Sequence, residues 1–152
     1  MLYGTAMTAL ALLVLAGIGG VVWALRRRRT REIEQHFIDA DALRPLLEPD
    51  AKILLFDVRQ PLDLLARSEM IPGAKRIPPK EILANPSLIP ADVDAVLYCT
   101  CEGQKTSRQI VEHGLKLGFS RVRLLRGGLG AWKAKGYPVV PYTESFRLDT
   151  AV

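Results

Sequence analysis

The feature that most constrains the fold is an uncharged stretch of 24 residues, 2–25, at the start of the chain. As a helix it would be about 36 Å long, whereas the hydrocarbon core of a bilayer is about 30 Å thick. Tyr3 and Trp23 lie near its two ends, as aromatic residues of membrane helices often do. The alternative is a cleavable signal peptide, which requires a basic residue before the apolar run, and none is present. The stretch therefore predicts an uncleaved transmembrane anchor.

The arginines that follow this stretch account for the net charge of the chain. The formal net charge is +5, and five of the 21 basic residues lie between Arg26 and Arg31. The other 16 basic residues balance the 16 Asp and Glu, so the rest of the chain is neutral and we expect no nucleic-acid partner. Positive flanks of membrane helices stay in the cytoplasm. We therefore predict a single-pass membrane protein, held through residues 2–25, whose following domain is cytoplasmic.

After the arginines, apolar runs alternate with helical patterns. Three continuous apolar runs are typical of buried parallel strands, at residues 52–57, 95–99 and 122–125. Helical patterns lie before, between and after them, at residues 38–48, 60–67, 107–117 and 129–135. This alternation predicts an α/β fold with a parallel sheet flanked by helices. The predicted organisation is an anchor with its arginines, a domain and a C-terminal tail, at residues 1–31, 32–140 and 141–152.

The two cysteines, Cys99 and Cys101, follow the second predicted strand and precede a helix. A thiol in this place lies at the carboxyl end of a parallel strand, where open α/β sheets bind ligands. It also faces the first N–H groups of a helix, which favour the thiolate form. The loop N–H groups can hold an anionic substrate or a persulfide. The candidate binding residues of this segment are Glu102, Gly103, Gln104, Lys105, Thr106 and Ser107.

From about residue 38 to 139 the sequence resembles a single-domain rhodanese. Seven segments match that family in order and spacing: Phe56-Asp57-Val58-Arg59, Ile71-Pro72-Gly73-Ala74, Tyr98-Cys99, Gly118-Phe119, Leu124-Leu125-Arg126-Gly127-Gly128, Ala131-Trp132 and Gly136-Tyr137-Pro138-Val139. The resemblance implies a sulfurtransferase. Its cysteine takes a sulfane sulfur from a small donor such as thiosulfate or a persulfide, and passes it to a thiol or a protein acceptor. We expect no cofactor and no metal.

The resemblance also implies roles for residues outside the cysteine loop. Asp57 and Arg59 match the Asp-x-Arg element of the family, where we expect a structural charge network beside the site. Gly127, Gly128 and Trp132 match its closing turn and packing tryptophan, and we expect structural roles for them.

Either cysteine can be the nucleophile. Counting back without gaps from Gly118-Phe119 places Cys101 at the catalytic position of the family, and the loop 101–106 then has the length that goes with sulfur transfer. Cys99 is the rival because it directly follows Tyr98 at the apparent strand end. Since side chains alternate along a strand, both thiols would point to the same side.

Three departures from the family pattern concern the site. Glu69-Met70 stands where the family often has Gly-His, and two extra residues separate Arg59 from the following Ile-Pro-Gly-Ala turn. The arginine usual late in the active loop is missing, and Lys105-Thr106 takes its place. Lysine is a point charge without the planar fork of arginine, which argues against the phosphatase and arsenate-reductase relatives.

Two other functions remain possible from the sequence. The first is a catalytically inactive rhodanese-like interaction module, since the loop is atypical. The second is a Cys-x-Cys redox or metal-handling protein, because two thiols on one side of a strand can bind a soft metal or relay disulfides.

Overall fold

The structure is a computed structural model that describes residues 2–48, 53–100 and 105–143, with side chains from residue 12 onward and again from residue 108. The chain divides into two compact units, Met1–Gln35 and His36–Val152. The first unit is the helix α1, Leu2–Glu34. Near its end the guanidinium of Arg27 lies 5.0 Å from the centre of the Trp23 ring, and the hydroxyl of Thr30 donates a hydrogen bond to the carbonyl of Arg26.

The prediction of a single-pass membrane protein with a cytoplasmic domain is wrong. In the part of the chain that the structure describes, no helix combines the length and the apolar character that a bilayer crossing requires. The prediction that residues 2–25 contact a membrane is therefore withdrawn together with the prediction of a membrane anchor.

The second unit is built on a parallel sheet. Within the described residues five strands form it: β1 (Phe37–Ile38), β2 (Ile53–Asp57), β4 (Lys75–Arg76), β5 (Asp94–Tyr98) and β6 (Val122–Leu125). Their order is β1-β6-β5-β2-β4, and all neighbours are parallel. β3 (Glu69–Met70) and β7 (Val140–Pro141) form a separate antiparallel pair. The α/β fold with a parallel sheet flanked by helices is confirmed.

Helices cover both faces of the sheet. They are α2 (Ala40–Leu43), α3 (Pro61–Ala66), α4 (Pro79–Ala84), α5 (Lys105–Lys116) and α6 (Gly128–Ala134), with 3-10 turns at Arg44–Leu47 and Pro86–Leu88. One core joins Phe56, Leu97 and Leu124 to α4 and α5 through Ile82 and Ile110. A second core joins the other face to α2 and α6. Because side chains alternate across the sheet, Tyr98 belongs to the second core and Cys99 to the first.

The helix predicted over 38–48 is shorter and broken. β1 takes its first residue, α2 ends at Leu43, and the chain tightens into the 3-10 turn Arg44–Leu47. Pro45 is the physical reason, because proline lacks the N–H that an α-helix interior requires. The short strands β1 and β4, which close the two edges of the sheet, are absent from the sequence prediction.

Candidate active site at the carboxyl edge of the sheet

The carboxyl ends of the parallel strands meet at one edge, and the cysteine segment follows the central strand there. β5 lies between β6 and β2, and it ends at Tyr98, directly before Cys99. Ligands of open α/β sheets bind outside such carboxyl ends. The predicted site residues Cys101, Glu102, Gly103 and Gln104 lie outside the described residues, as do the side chains of Lys105, Thr106 and Ser107. The backbone of α5 begins at Lys105.

Cys99 is a core residue. Its exposed fraction is 1 %, and it packs with Phe56, Val58 and Ile110 in the core beneath α4 and α5. A small thiol of this kind behaves as an apolar side chain, and burial keeps it away from a substrate in solution. Its position therefore favours a packing role for Cys99 over a nucleophilic one.

A buried ion pair lies at the end of β2, one strand away from the cysteine segment. Asp57 and Arg59 both have an exposed fraction of 0 %. Nε of Arg59 donates to both carboxylate oxygens of Asp57 at 2.9 Å, and Nη2 donates to Oδ2 at 2.5 Å. Two further N–H groups of Arg59 donate to backbone carbonyls, Nη1 to that of Arg67 at 2.7 Å and Nη2 to that of Glu69 at 2.8 Å. The guanidinium thus ties the end of β2 to the segment that leads from α3 into β3.

The hydroxyl of Tyr98 extends this network to β5, the strand that precedes the cysteine segment. It donates to Oδ2 of Asp57 at 3.0 Å and accepts the N–H of Ile71 at 3.3 Å. Burial, reinforced by the charge of Asp57, raises the pKa of Tyr98 far above its ordinary value, so the hydroxyl remains a donor. The sequence patterns assign no role to Tyr98. A tyrosine ending an otherwise aliphatic buried strand is the available signal, since its hydroxyl needs a partner when buried.

The turn after β6 contacts the backbone of Cys99 directly. Gly128 has φ +54°, and a Cβ placed on it would lie 1.9 Å from the carbonyl oxygen of Cys99. The N–H of Leu129 donates to that same oxygen at 3.2 Å. Trp132, one turn further along α6, is 1 % exposed and donates from Nε1 to the carbonyl of Pro138 at 2.8 Å. The closing turn therefore fixes the backbone at the point where the cysteine segment begins.

Replacing Gly128 by alanine is expected to destabilise the domain by about 3 kcal/mol or more, because a left-handed backbone and a backbone overlap act together. Gly130→Ala is the matched control in the same helix, since a Cβ there meets nothing within 4 Å. It should leave stability unchanged or raise it by up to about 1 kcal/mol. Urea unfolding followed by circular dichroism measures both, and equal stability of the two variants would contradict the close contact.

A metal centre finds no support in the described residues. No group of three or more His, Cys, Asp or Glu side chains comes together there. The metal-handling alternative therefore has no third ligand in that part of the chain.

Comparison with known proteins shows the family to which the chain belongs. The rhodanese-like domain family matches residues 39–135. The chain belongs to the rhodanese-like family. A sulfurtransferase from Allochromatium vinosum is 36% identical over 103 residues, which is 68% of this chain and 92% of that protein. At the level of the family, these matches support a sulfurtransferase function, for which a sulfur donor and an acceptor are the general partners.

Solved structures agree with the rhodanese-like fold. A rhodanese-related protein from Thermoplasma volcanium is 26% identical with a TM-score of 0.58, covering 69% of this chain and 97% of that one. The rhodanese-like domain of an Anabaena protein is 27% identical with a TM-score of 0.59, covering 77% and 90%. Both matches leave part of the chain uncovered.

Proposed function

We propose that this rhodanese-like protein transfers a sulfane sulfur through a persulfide on Cys101. The observation that carries the proposal is the 36% identity to a sulfurtransferase over most of both chains. The geometry of the edge agrees with it. Cys101 stands two residues after the buried Cys99 and four residues before the first residue of α5, so it precedes the N–H groups of a helix start.

The chemistry needs a thiolate but no dedicated base. The Cys101 thiolate attacks the outer sulfur of thiosulfate, the S–S bond breaks, and sulfite leaves with the electron pair. A nucleophile such as cyanide or an acceptor thiolate then attacks the terminal sulfur of the persulfide, and the Cys101 thiolate is restored. The helix start stabilises the anionic forms of the cysteine at both stages.

The direct test is to incubate the full chain with thiosulfate and cyanide. We expect thiocyanate to form, and without cyanide we expect a mass increase of one sulfur atom on the peptide that contains Cys101. Adding a reducing thiol should remove that sulfur. Absence of both thiocyanate and the sulfur adduct would contradict a sulfurtransferase.

A non-catalytic interaction module is the second candidate, and one observation favours it. The active loop has Lys105-Thr106 where the family usually has an arginine. Because lysine lacks the planar fork that holds an oxyanion in two places, donor binding by the loop alone would be weaker. If the chain forms neither thiocyanate nor the sulfur adduct in the assay with thiosulfate and cyanide, that result supports the interaction module.

A further inference from the structure

An open cleft of about 400 Å³ lies where α2 and α6 meet the carboxyl ends of β1 and β6. Three small residues line it, Ala40, Gly127 and Ala131, and their lack of long side chains leaves the space open. Gly127 has φ +70°, and a Cβ placed on it would lie 2.6 Å from that of Ala131, so a larger side chain does not fit at this position. The volume is within the range of small-molecule sites, about 300–1,000 Å³.

The charged residues of this cleft are divided between its two sides. Asp39 directly precedes α2 and Asp41 lies in its first turn, whereas Arg126 directly follows β6 and Lys135 directly follows α6. Nε of Arg126 donates to Oδ1 of Asp39 at 3.1 Å, and Nζ of Lys135 donates to Oδ2 of Asp41 at 2.5 Å. An acidic side therefore faces a basic side, and their charges balance in the part of the chain that the structure describes.

Contacts beyond the two ion pairs hold these charged groups in position. The guanidinium of Arg126 lies 4.7 Å from the centre of the Phe37 ring, and the hydroxyl of Tyr137 donates to Oδ1 of Asp41 at 2.6 Å. The hydrogen bond from Lys135, together with that from Tyr137, holds the pKa of Asp41 below its ordinary value. The same bond raises the pKa of Lys135, so both groups are charged near neutral pH. Groups that are already fixed lose less conformational entropy when a ligand binds.

The arrangement of charges indicates the class of ligand. A simple anion beside Arg126 and Lys135 would also approach the two carboxylates, and a simple cation would approach the two basic groups, so each is repelled. A small zwitterion presents an ammonium to the acidic side and a carboxylate to the basic side. It replaces ion pairs whose side chains are 51% to 70% exposed, and because water screens such pairs, their opening costs little stability.

We propose that this cleft binds a small zwitterion with one ammonium and one carboxylate, as in a free amino acid. The carboxylate of the ligand lies against Lys135 and Arg126, and its ammonium lies against Asp41 and Asp39. The small lining residues leave space for an aliphatic side chain. Binding there requires no sulfur transfer, so its test is independent of the proposed function.

The test titrates the full chain with L-leucine, N-acetyl-L-leucine and L-leucine amide and follows binding by NMR chemical shifts. The N-acetyl form lacks the ammonium, and the amide lacks the carboxylate. We expect leucine to bind with a Kd of about 1 mM or lower, and each analogue to bind about tenfold or more weakly, since each loses a charge-assisted hydrogen bond. Equal binding of the three probes overturns the zwitterion site, as does the absence of leucine binding at about 10 mM.

Variants then locate the binding in the cleft. Asp41→Asn and Lys135→Gln should each weaken leucine binding about tenfold, because each removes a partner of one ligand charge. Lys133→Gln is the matched control, since Lys133 is an exposed lysine of α6 that bonds Glu69 outside the cleft. It should change the Kd by less than about twofold.

A double variant separates ligand binding from the structural role of the ion pair. Asp41→Lys combined with Lys135→Asp keeps an ion pair at this position but mixes the charges of the two sides. We expect leucine binding to be lost, while urea unfolding shows a stability close to that of the natural protein. Leucine binding that persists in the double variant, or that weakens equally in Lys133→Gln and Lys135→Gln, overturns the site.

Discussion

Replacing Cys101 by serine is expected to reduce thiocyanate formation to the rate measured without protein. A serine hydroxyl does not ionise near neutral pH and cannot carry a persulfide, so both halves of the reaction are lost together. Thiosulfate should then add no sulfur to the chain. Stability should change little, which urea unfolding of the same sample checks.

Cys99→Ala is the matched comparison, because it removes the neighbouring thiol from a buried position. We expect it to lower the free energy of unfolding by about 1 kcal/mol, as a small loss of packing does, and to leave persulfide formation in place. The opposite pattern, with the sulfur adduct kept in Cys101→Ser and lost in Cys99→Ala, would assign the nucleophile to Cys99. It would also require the backbone around Cys99 to open during turnover.

Replacing Arg59 by methionine is expected to destabilise the domain by about 3–5 kcal/mol, because it leaves the carboxylate of Asp57 buried without its charge partner. Asp57→Asn should have an effect of the same order for the converse reason. Both are measured by urea unfolding. Sulfur transfer should be lost only where the variant unfolds, because neither side chain reaches the substrate in the proposed mechanism.

Arg121→Met is the control for this pair. Arg121 also bonds a carboxylate through Nε, at 3.1 Å from Asp94, but the two side chains are 51% and 41% exposed. Because water screens this exposed pair, replacing Arg121 should lower the free energy of unfolding far less than replacing Arg59. The double replacement Asp57→Leu with Arg59→Met should recover part of the stability lost in either single variant, since no buried charge remains. Equal losses for Arg59→Met and Arg121→Met would contradict the buried pair.

The central strands could be predicted from sequence, and the edges could not. Strands β2, β5 and β6 read as continuous apolar runs because both faces of a parallel sheet are buried, and the predicted ranges agree with the structure within one residue where it is described. β1 and β4 have two residues each, which is too short for the alternation of apolar and polar side chains that identifies a strand in a sequence. The anchor was predicted from the length of the uncharged stretch, the aromatic residues near its ends and the arginines after it, although glycine, alanine and threonine in that stretch make it less apolar.

The contacts of the candidate site are non-local, so local patterns do not reveal them. Gly128 approaches the carbonyl of Cys99 across 29 positions of sequence, and Tyr98 reaches Asp57 across 41. The family resemblance identified Asp57, Arg59 and Gly128 as positions of interest. It did not indicate which atoms they contact, and the opposed charges of the cleft between α2 and α6 have no sequence signature.

The two-residue strands at either side of the main sheet also bear on how the protein behaves in concentrated solution. A long exposed edge strand offers a row of unpaired N–H and C=O groups to which another chain can add a strand. Here β1 and β4 offer only two residues each, and β4 adds the exposed ammonium of Lys75. The rhodanese-like sheet is therefore a poor template for edge-to-edge aggregation.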